Sequence, residues 1–306
     1  MAWFFGENMY LCKVKPIATT FAMAEIKIAG IMRAGMFSPN RIGSDAAIFN
    51  IVAEQLRKRG CEVRLYSEEQ FIAEGVEERI VLNMCREKRS ISLLQKIEDD
   101  GALVINSGYG IENCGRERLT RILLGSGIPF PDSIVVNSDE AVRDTFVKAR
   151  FTRCWIKRAD YQSLHKEDVS YVRQADEAQE VLQEYFLRGI QRAVISRHLE
   201  GDLIKFYGVA GTPFFYSYAP FESREPSKPV APTTVYDKAR LHQICRDAAE
   251  ALDVKIYGGD AIVDADGTIR LIDFDDWPSF APCRNEAAPY IAKCVMSAVK
   301  EHFAKS

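Results

Sequence analysis

From Ile26 to Tyr66 the chain reads as strand, helix, strand with short connections, and that order commits it to a parallel sheet. Residues 26–31 (IKIAGI) read as a buried strand. Ile48, Ile51, Val52 and Leu56 recur at helical spacing, with Ser44 as a candidate N-cap and Gly60 where a helix stops, so a helix is predicted over 44–59. Strands are predicted over 63–66, 80–83 and 102–106, with a helix near 90–99. The rigid run Gly127-Ile128-Pro129-Phe130-Pro131 marks the first boundary. Beyond it, strands are predicted over 133–136, 153–156, 169–173, 193–198 and 203–209, interrupted by a helix over 175–187. Tyr216–Thr234 reads as an exposed loop, followed by a helix over 236–252, strands over 259–263 and 269–274, and a last helix near 285–303. The fold class is α/β.

Composition narrows the function. A chain of 306 residues with 47% hydrophobic and 27% charged residues is globular, not disordered. Forty basic against 43 acidic residues leave a net charge of −3, which argues against a nucleic-acid partner. No run approaches the ~18 apolar residues of a membrane helix, so no membrane partner is expected. Eight scattered cysteines without a Cys-x-x-Cys pair read as reduced thiols of a cytoplasmic protein. Residues 1–22 are not a signal peptide, because Glu7, Lys13 and Lys15 interrupt any apolar core, and they read as a dispensable extension.

Three segments carry chemistry. In Gly258–Val263, a turn, and Leu271–Pro278, a hairpin is predicted. Asp273 and Asp275 share one strand face, with Phe274 on the other, and Asp260 on the neighbouring strand reaches them if the register allows. Three converging acids repel unless a cation sits among them, and hard oxygens suit Mg²⁺. A solvated strand end is the plainer alternative. In Arg153–Arg158, Lys157 closes an apolar strand and is placed to hold a phosphate; a surface lysine is the alternative. In Ala193–Val209, an apolar strand leads into a linker suited to gripping a flat purine through backbone groups, with Lys205 on the next strand.

Together these segments resemble the ATP-grasp superfamily over roughly residues 25–285. The resemblance implies an N-terminal parallel α/β (pre-ATP-grasp) domain and two α+β subdomains that sandwich ATP. The expected division is an extension over 1–24, the N-terminal domain over 25–128, a central subdomain over 129–200 and a C-terminal subdomain over 201–306. It implies ATP and Mg²⁺ as cofactors. Lys157 matches the strand lysine and Lys205 the basic residue after the linker, both taken as catalytic. Ile195, Ser196, Arg197 and His198 match the adenine linker, Arg118 stands where many relatives have lysine, and Asp260, Asp273 and Asp275 match the metal ligands. The stretch 159–168 lacks the glycines of the family's phosphate loop. Asp273-Phe274-Asp275 departs from the Glu-x-Asn of amide-forming members and is more similar to inositol trisphosphate kinases, whose Ser-His lid Ser163 and His165 resemble.

The loop after the first strand should line the substrate cleft, since open α/β sheets bind ligands at strand carboxyl ends. Its Ser38-Pro39-Asn40 resembles glutamate-adding ligases, and Arg33 and Arg41 suit a carboxylate or phosphate. Arg33, Ser38, Asn40, Arg41 and His165 are therefore the expected substrate residues. The favoured activity is ATP-dependent joining of a small-molecule or peptide carboxylate to an amine. An inositol-phosphate-type kinase and a non-catalytic nucleotide binder are the alternatives, and homo-oligomerisation is compatible with all three.

Overall fold

A computed structural model of the chain describes residues 26–37, 42–159, 168–220 and 235–305. The expected extension, Ser38, Asn40, Arg41, His165, and nearly all of the glycine-free stretch lie outside these residues.

The first sheet is parallel, in the order β2-β1-β3-β4. It contains β1 (Ile26–Met32), β2 (Cys61–Ser67), β3 (Ile80–Asn83) and β4 (Leu103–Ile105). Helix α1 (Ile42–Arg57) begins two residues before Ser44, so Ser44 lies inside it and is not its cap. Between β2 and β3 runs α2 (Glu68–Glu74), absent from the expectations although its signal is present: Ser67 and Gln70 form a capping box. Then comes α3 (Lys88–Asp99). Ile48, Val52 and Leu56 of α1 pack with Ile28 and with the last helix, α9 (Arg284–Lys305), on one face of the sheet. Phe71 of α2 and Leu94 of α3 cover Ala29, Ile31 and Val81 on the other. Two short helices, α4 (Gly108–Asn113) and α5 (Arg116–Gly125), lead out of this layer.

The second sheet is antiparallel, in the order β5-β8-β6-β7. Its strands are β5 (Ser133–Asn137), β6 (Cys154–Arg158), β7 (Val169–Val172) and β8 (Arg192–Arg197). Helices α6 (Arg143–Ala149) and α7 (Ala175–Leu187) bury Cys154, Ile156 and Ile195 against one face. Strand alternation leaves Trp155 and Lys157 on the other.

The third sheet, also antiparallel, runs β10-β9-β11-β12. It is made of β9 (Asp202–Val209), β10 (Phe215–Tyr218), β11 (Ile256–Val263) and β12 (Ile269–Asp276), with α8 (Lys238–Leu252) behind it. Strand β10 takes Tyr216–Tyr218 out of the expected loop over 216–234, of which 221–234 lie outside the described residues. Its alternating aromatics pair with Lys205–Gly208, and cross-strand ring contacts favour pairing over a loop.

The β11–β12 ladder carries a bulge. Asp260 pairs with Asp273 but Ala261 pairs with Leu271, so Ile272 is an extra residue. Without it Leu271 and Asp273 would share a face. With it, Ile269, Leu271 and Phe274 enter the core against α8, while Asp273 and Asp275 turn away from that core. Gly259 permits the kink: a Cβ there would lie 2.3 Å from the Asp273 carbonyl oxygen.

Polar groups fasten the first sheet to the third. The Asn106 side chain imitates a strand, accepting from the Lys255 and Ile256 N–H groups at 2.9 Å and donating to the Ile256 carbonyl at 2.7 Å. Arg33 bonds Asp45 at 2.9 Å, the Met84 carbonyl at 3.2 Å and the Trp277 carbonyl at 3.0 Å. Arg86 grips both the carboxylate and the main-chain oxygen of Asp276. Among the described residues no helix is long and apolar enough to cross a membrane, and the seven cysteines are free and buried.

Arg33 is a largely covered arginine with three protein partners, so Arg33→Met removes the guanidinium from buried Asp45 and should cost about 3 kcal/mol, read as a lower urea midpoint at unchanged slope.

Candidate functional site

The open face of the second sheet meets the acidic strand of the third. Lys157, last but one on β6, donates from Nζ to the Ile272 carbonyl at 3.3 Å. The bulge matters here, because the extra residue's carbonyl is the one that receives the lysine. Burial pulls the Lys157 pKa below the usual lysine range, and Asp273, Asp260 and Asp275 oppose that shift. Leu271 N–H donates to the Pro129 carbonyl at 2.9 Å and holds the linker against the same strand.

Register supplies the rest of the constellation. Asp260 lies opposite both Asp273 on β12 and Lys205 on β9. Lys205 Nζ donates to Asp260 Oδ1 at 2.7 Å. Burial raises the Asp260 pKa, against the pull of Lys205. At Asp273 burial opposes ionisation, but Lys157 and Arg116 outweigh it and hold the carboxyl below its ordinary range. Asp275 is pushed up to about 7, first by burial and then by Asp273, with Arg86 pulling the other way. Among the described residues no three His, Cys, Asp or Glu side chains form a ready-made metal cage. The three expected acids lie close together: Asp260 stands opposite Asp273 and is hydrogen-bonded to Lys205, and Asp273 and Asp275 form an acidic pair on β12. A pair suits Mg²⁺, which takes one or two carboxylates and completes its shell with water and phosphate oxygens.

Other expected residues sit elsewhere. Arg118 is exposed on α5, where it bonds Asn113 at 3.0 Å and pairs with Glu112 at 3.4 Å. Arg116, one half-turn earlier, is buried, donates to the Arg158 carbonyl at 3.4 Å, and acts on both Lys157 and Asp273. Its burial alongside Thr120 and Leu123 sets the inward face of α5; a row of arginines at 116, 118 and 121 hides that phase from sequence reading. Ile195 points into the core behind the sheet, so it offers the cleft no side chain. Ser196 Oγ bonds Ser133 Oγ at 2.8 Å. Arg197 reaches Asp132, and its N–H donates to the Asp132 carbonyl, while the His198 N–H donates to the Arg153 carbonyl. These linker N–H groups are already engaged. What the linker does present is His198, whose Nδ1 accepts from Trp155 Nε1 at 3.1 Å, with Tyr171 5.2 Å from both rings. Trp155 pairs with Tyr171 and Ser196 across the sheet, two residues from Lys157 on the same face. Periodicity from Lys157 backwards was the available signal for it.

Arg33, expected to hold substrate, has its guanidinium committed to Asp45, Met84 and Trp277. The loops at the carboxyl ends of β1 and β3 are instead tied together by Glu68. Its buried carboxylate accepts from the N–H groups of Ala34, Arg86 and Glu87 and from Ser90 Oγ, at 2.6–2.9 Å. A cleft of 470 Å³ opens beside that loop, between α3 and the α4–α5 corner.

No protein-family model matches the chain, and no curated protein matches its sequence. Solved structures do match in shape. A D-alanine–D-alanine ligase from Bacillus anthracis, complexed with ATP, superposes with a TM-score of 0.69 at 15% identity, over 92% of this chain and all (100%) of that one. A RimK-domain ATP-grasp protein from Sphaerobacter thermophilus gives 0.65 at 16%, over 88% and 99%. The ATP-grasp ligase PsnB, complexed with a minimal precursor, Mg and ADP, gives 0.62 at 16%, over 89% and 98%. The chain has the ATP-grasp fold.

Folded Asp275 keeps its proton up to about pH 7, whereas an unfolded aspartate releases it near pH 4. The unfolded state therefore sheds the proton first, and this group's contribution to stability is lost as pH rises from about 4 to 7. In EDTA, Asp275→Asn should raise the unfolding free energy at pH 8 by up to about 4 kcal/mol, a gain that disappears at pH 4; urea titrations at the two pH values measure it.

Proposed function

We propose that this chain uses its ATP-grasp fold to phosphorylate a carboxylate with Mg-ATP and to join the resulting acyl phosphate to an amine. The observation that carries the reading is Lys157 seated on the bulged acidic strand, a cation from one sheet facing Asp273 and Asp275 of another. Lys157 and Arg116 hold phosphate oxygens. Lys205, oriented by Asp260, adds a third cation. Asp273 and Asp275 would hold Mg²⁺, which supplies neutralisation of the phosphate charge. Trp155 and His198 form an apolar and aromatic side to the base slot, next to the linker.

The acceptor carboxylate oxygen attacks the γ-phosphorus in line, and ADP leaves. The amine nitrogen then attacks the acyl carbon, inorganic phosphate leaves, and the nitrogen gives up its proton. The protein's own part is to fix the phosphates and offset their charge, so no side-chain nucleophile is required. The ligase names of the neighbours support carbon–nitrogen bond formation over the hydroxyl kinase. PsnB, solved with a precursor peptide, supports a small-molecule or peptide substrate. We place the divisions of the chain after residues 128 and 200, and the protein in the cytoplasm, in keeping with its buried free thiols.

Calorimetry with Mg-ATP tests the reading. Lys157→Ala and Arg116→Ala should each weaken ATP binding at least tenfold, or about 1.4 kcal/mol, with a smaller relative change in melting temperature, while Arg118→Ala leaves affinity unchanged. Unaltered affinity in Lys157→Ala removes the assignment. Asp273→Asn should abolish Mg²⁺-dependent ADP release while the chain stays folded by circular dichroism.

A further inference from the structure

Strand β12 is the edge of its sheet, so one of its sides has no neighbouring strand. Other layers tie it down instead. Before the acidic pair, the Leu271 N–H reaches Pro129 and the Ile272 carbonyl receives Lys157. After the pair, Arg86 Nη2 donates to the Asp276 carbonyl at 2.8 Å, and Arg33 holds the Trp277 carbonyl at 3.0 Å. Asp273 and Asp275 stand between these ties.

Arg86 holds more than a carbonyl. Its Nη1 also donates to Asp276 Oδ1, so one guanidinium fixes both the main chain and the side chain of the residue that follows Asp275. Strand alternation puts the Asp276 side chain on the face opposite Asp275, so Arg86 grips the strand from behind the acids. The Asp276 side chain is 2% exposed, and Arg86 is its ion-pair partner. The arginine is itself braced. Its own N–H donates to Glu68 Oε1 at 2.7 Å, and that fully buried carboxylate also binds Ala34, Glu87 and Ser90. A continuous polar path therefore runs from the loops at the carboxyl ends of β1 and β3, through Glu68 and Arg86, to the peptide next to Asp275.

We propose that Arg86 is a positioning residue for the Mg²⁺ site: it locks the end of β12 so that Asp275 is held in place for the metal, and it touches neither metal nor nucleotide. This rests on the reading of Asp273 and Asp275 as the Mg²⁺ ligands. Groups that orient metal ligands from outside commonly change metal affinity by about 10–100-fold when they are removed. Lys157 cannot serve in this way, because the phosphates of the nucleotide claim it. A lysine in place of Arg86 keeps the charge but is a point donor, unable to span the two Asp276 oxygens as the planar fork does.

The full chain with AMPPNP is titrated with Mn²⁺, and free Mn²⁺ is read by electron paramagnetic resonance. Arg86→Gln and Arg86→Lys should each weaken Mn²⁺ binding by about tenfold or more, with AMPPNP affinity in EDTA unchanged in both. Asn106→Ala loosens the same two layers at β11 instead of β12; it should lower the urea midpoint and leave Mn²⁺ affinity unchanged. Where Arg86→Gln fails to fold, Arg86→Lys carries the test. Unchanged Mn²⁺ affinity in Arg86→Lys overturns the proposal, as does an equal loss in Asn106→Ala. Asp273→Asn separates this result from the reading beneath it. A parent chain that binds no Mn²⁺, or binding that survives Asp273→Asn, sinks the metal assignment; binding abolished by Asp273→Asn but untouched by Arg86→Lys sinks only the positioning role.

Discussion

One extra residue in one strand organises the site. A strict two-residue period cannot place Leu271 in the core and Asp273 in the cleft, because both would point the same way. Ile272, inserted between them, breaks the period once and turns the two aspartates out of the apolar layer on α8. The inserted residue then offers its carbonyl to Lys157 across the sheets. The same local irregularity aims the acids and receives the tip of the lysine. Gly259 is its counterpart on the neighbouring strand, where any side chain would meet the displaced Asp273 backbone.

Charge in the cleft is distributed by pairing. Asp260 and Lys205 face each other across a ladder at 2.7 Å. Asp273 stays ionised because Lys157 and Arg116 flank it, whereas Asp275, with Arg86 held on Asp276, resists ionisation up to about pH 7. Neighbouring carboxylates two residues apart thus differ in readiness to lose a proton, and the difference comes from which cations the two adjoining layers bring near each of them.

Much of this was legible. Apolar periodicity located the opening strand and helix, and the strand–helix–strand order implied the parallel pairing seen in the first sheet. The helix over 175–187 matched residue for residue. Lys157 and the Asp-Phe-Asp strand stood out because charged residues at the end of apolar strands are unusual. What stayed hidden depended on phase and on distant partners. Arg116 and Arg118 differ only in which side of α5 they face, and nothing local decides it. Arg33 looked free for a ligand because its partners lie 12, 51 and 244 residues away. Glu68 sat in an unremarked charged run, yet it ties two loops together from a fully buried position. The bulge has no residue signature that separates it from an ordinary strand.

The Asn106 amide, bonding the main chain at the start of β11 as a strand would, has a mechanical meaning. Together with Arg33 and Arg86 it welds the parallel layer and the acidic sheet into one chassis. The helix-backed sheet that carries Lys157 has lighter fastenings to that chassis, among them the Leu271–Pro129 bond and the lysine itself. The lysine-bearing jaw thus meets the chassis mainly through α5 and a few single bonds, whereas the acidic jaw shares its polar anchors with the parallel layer.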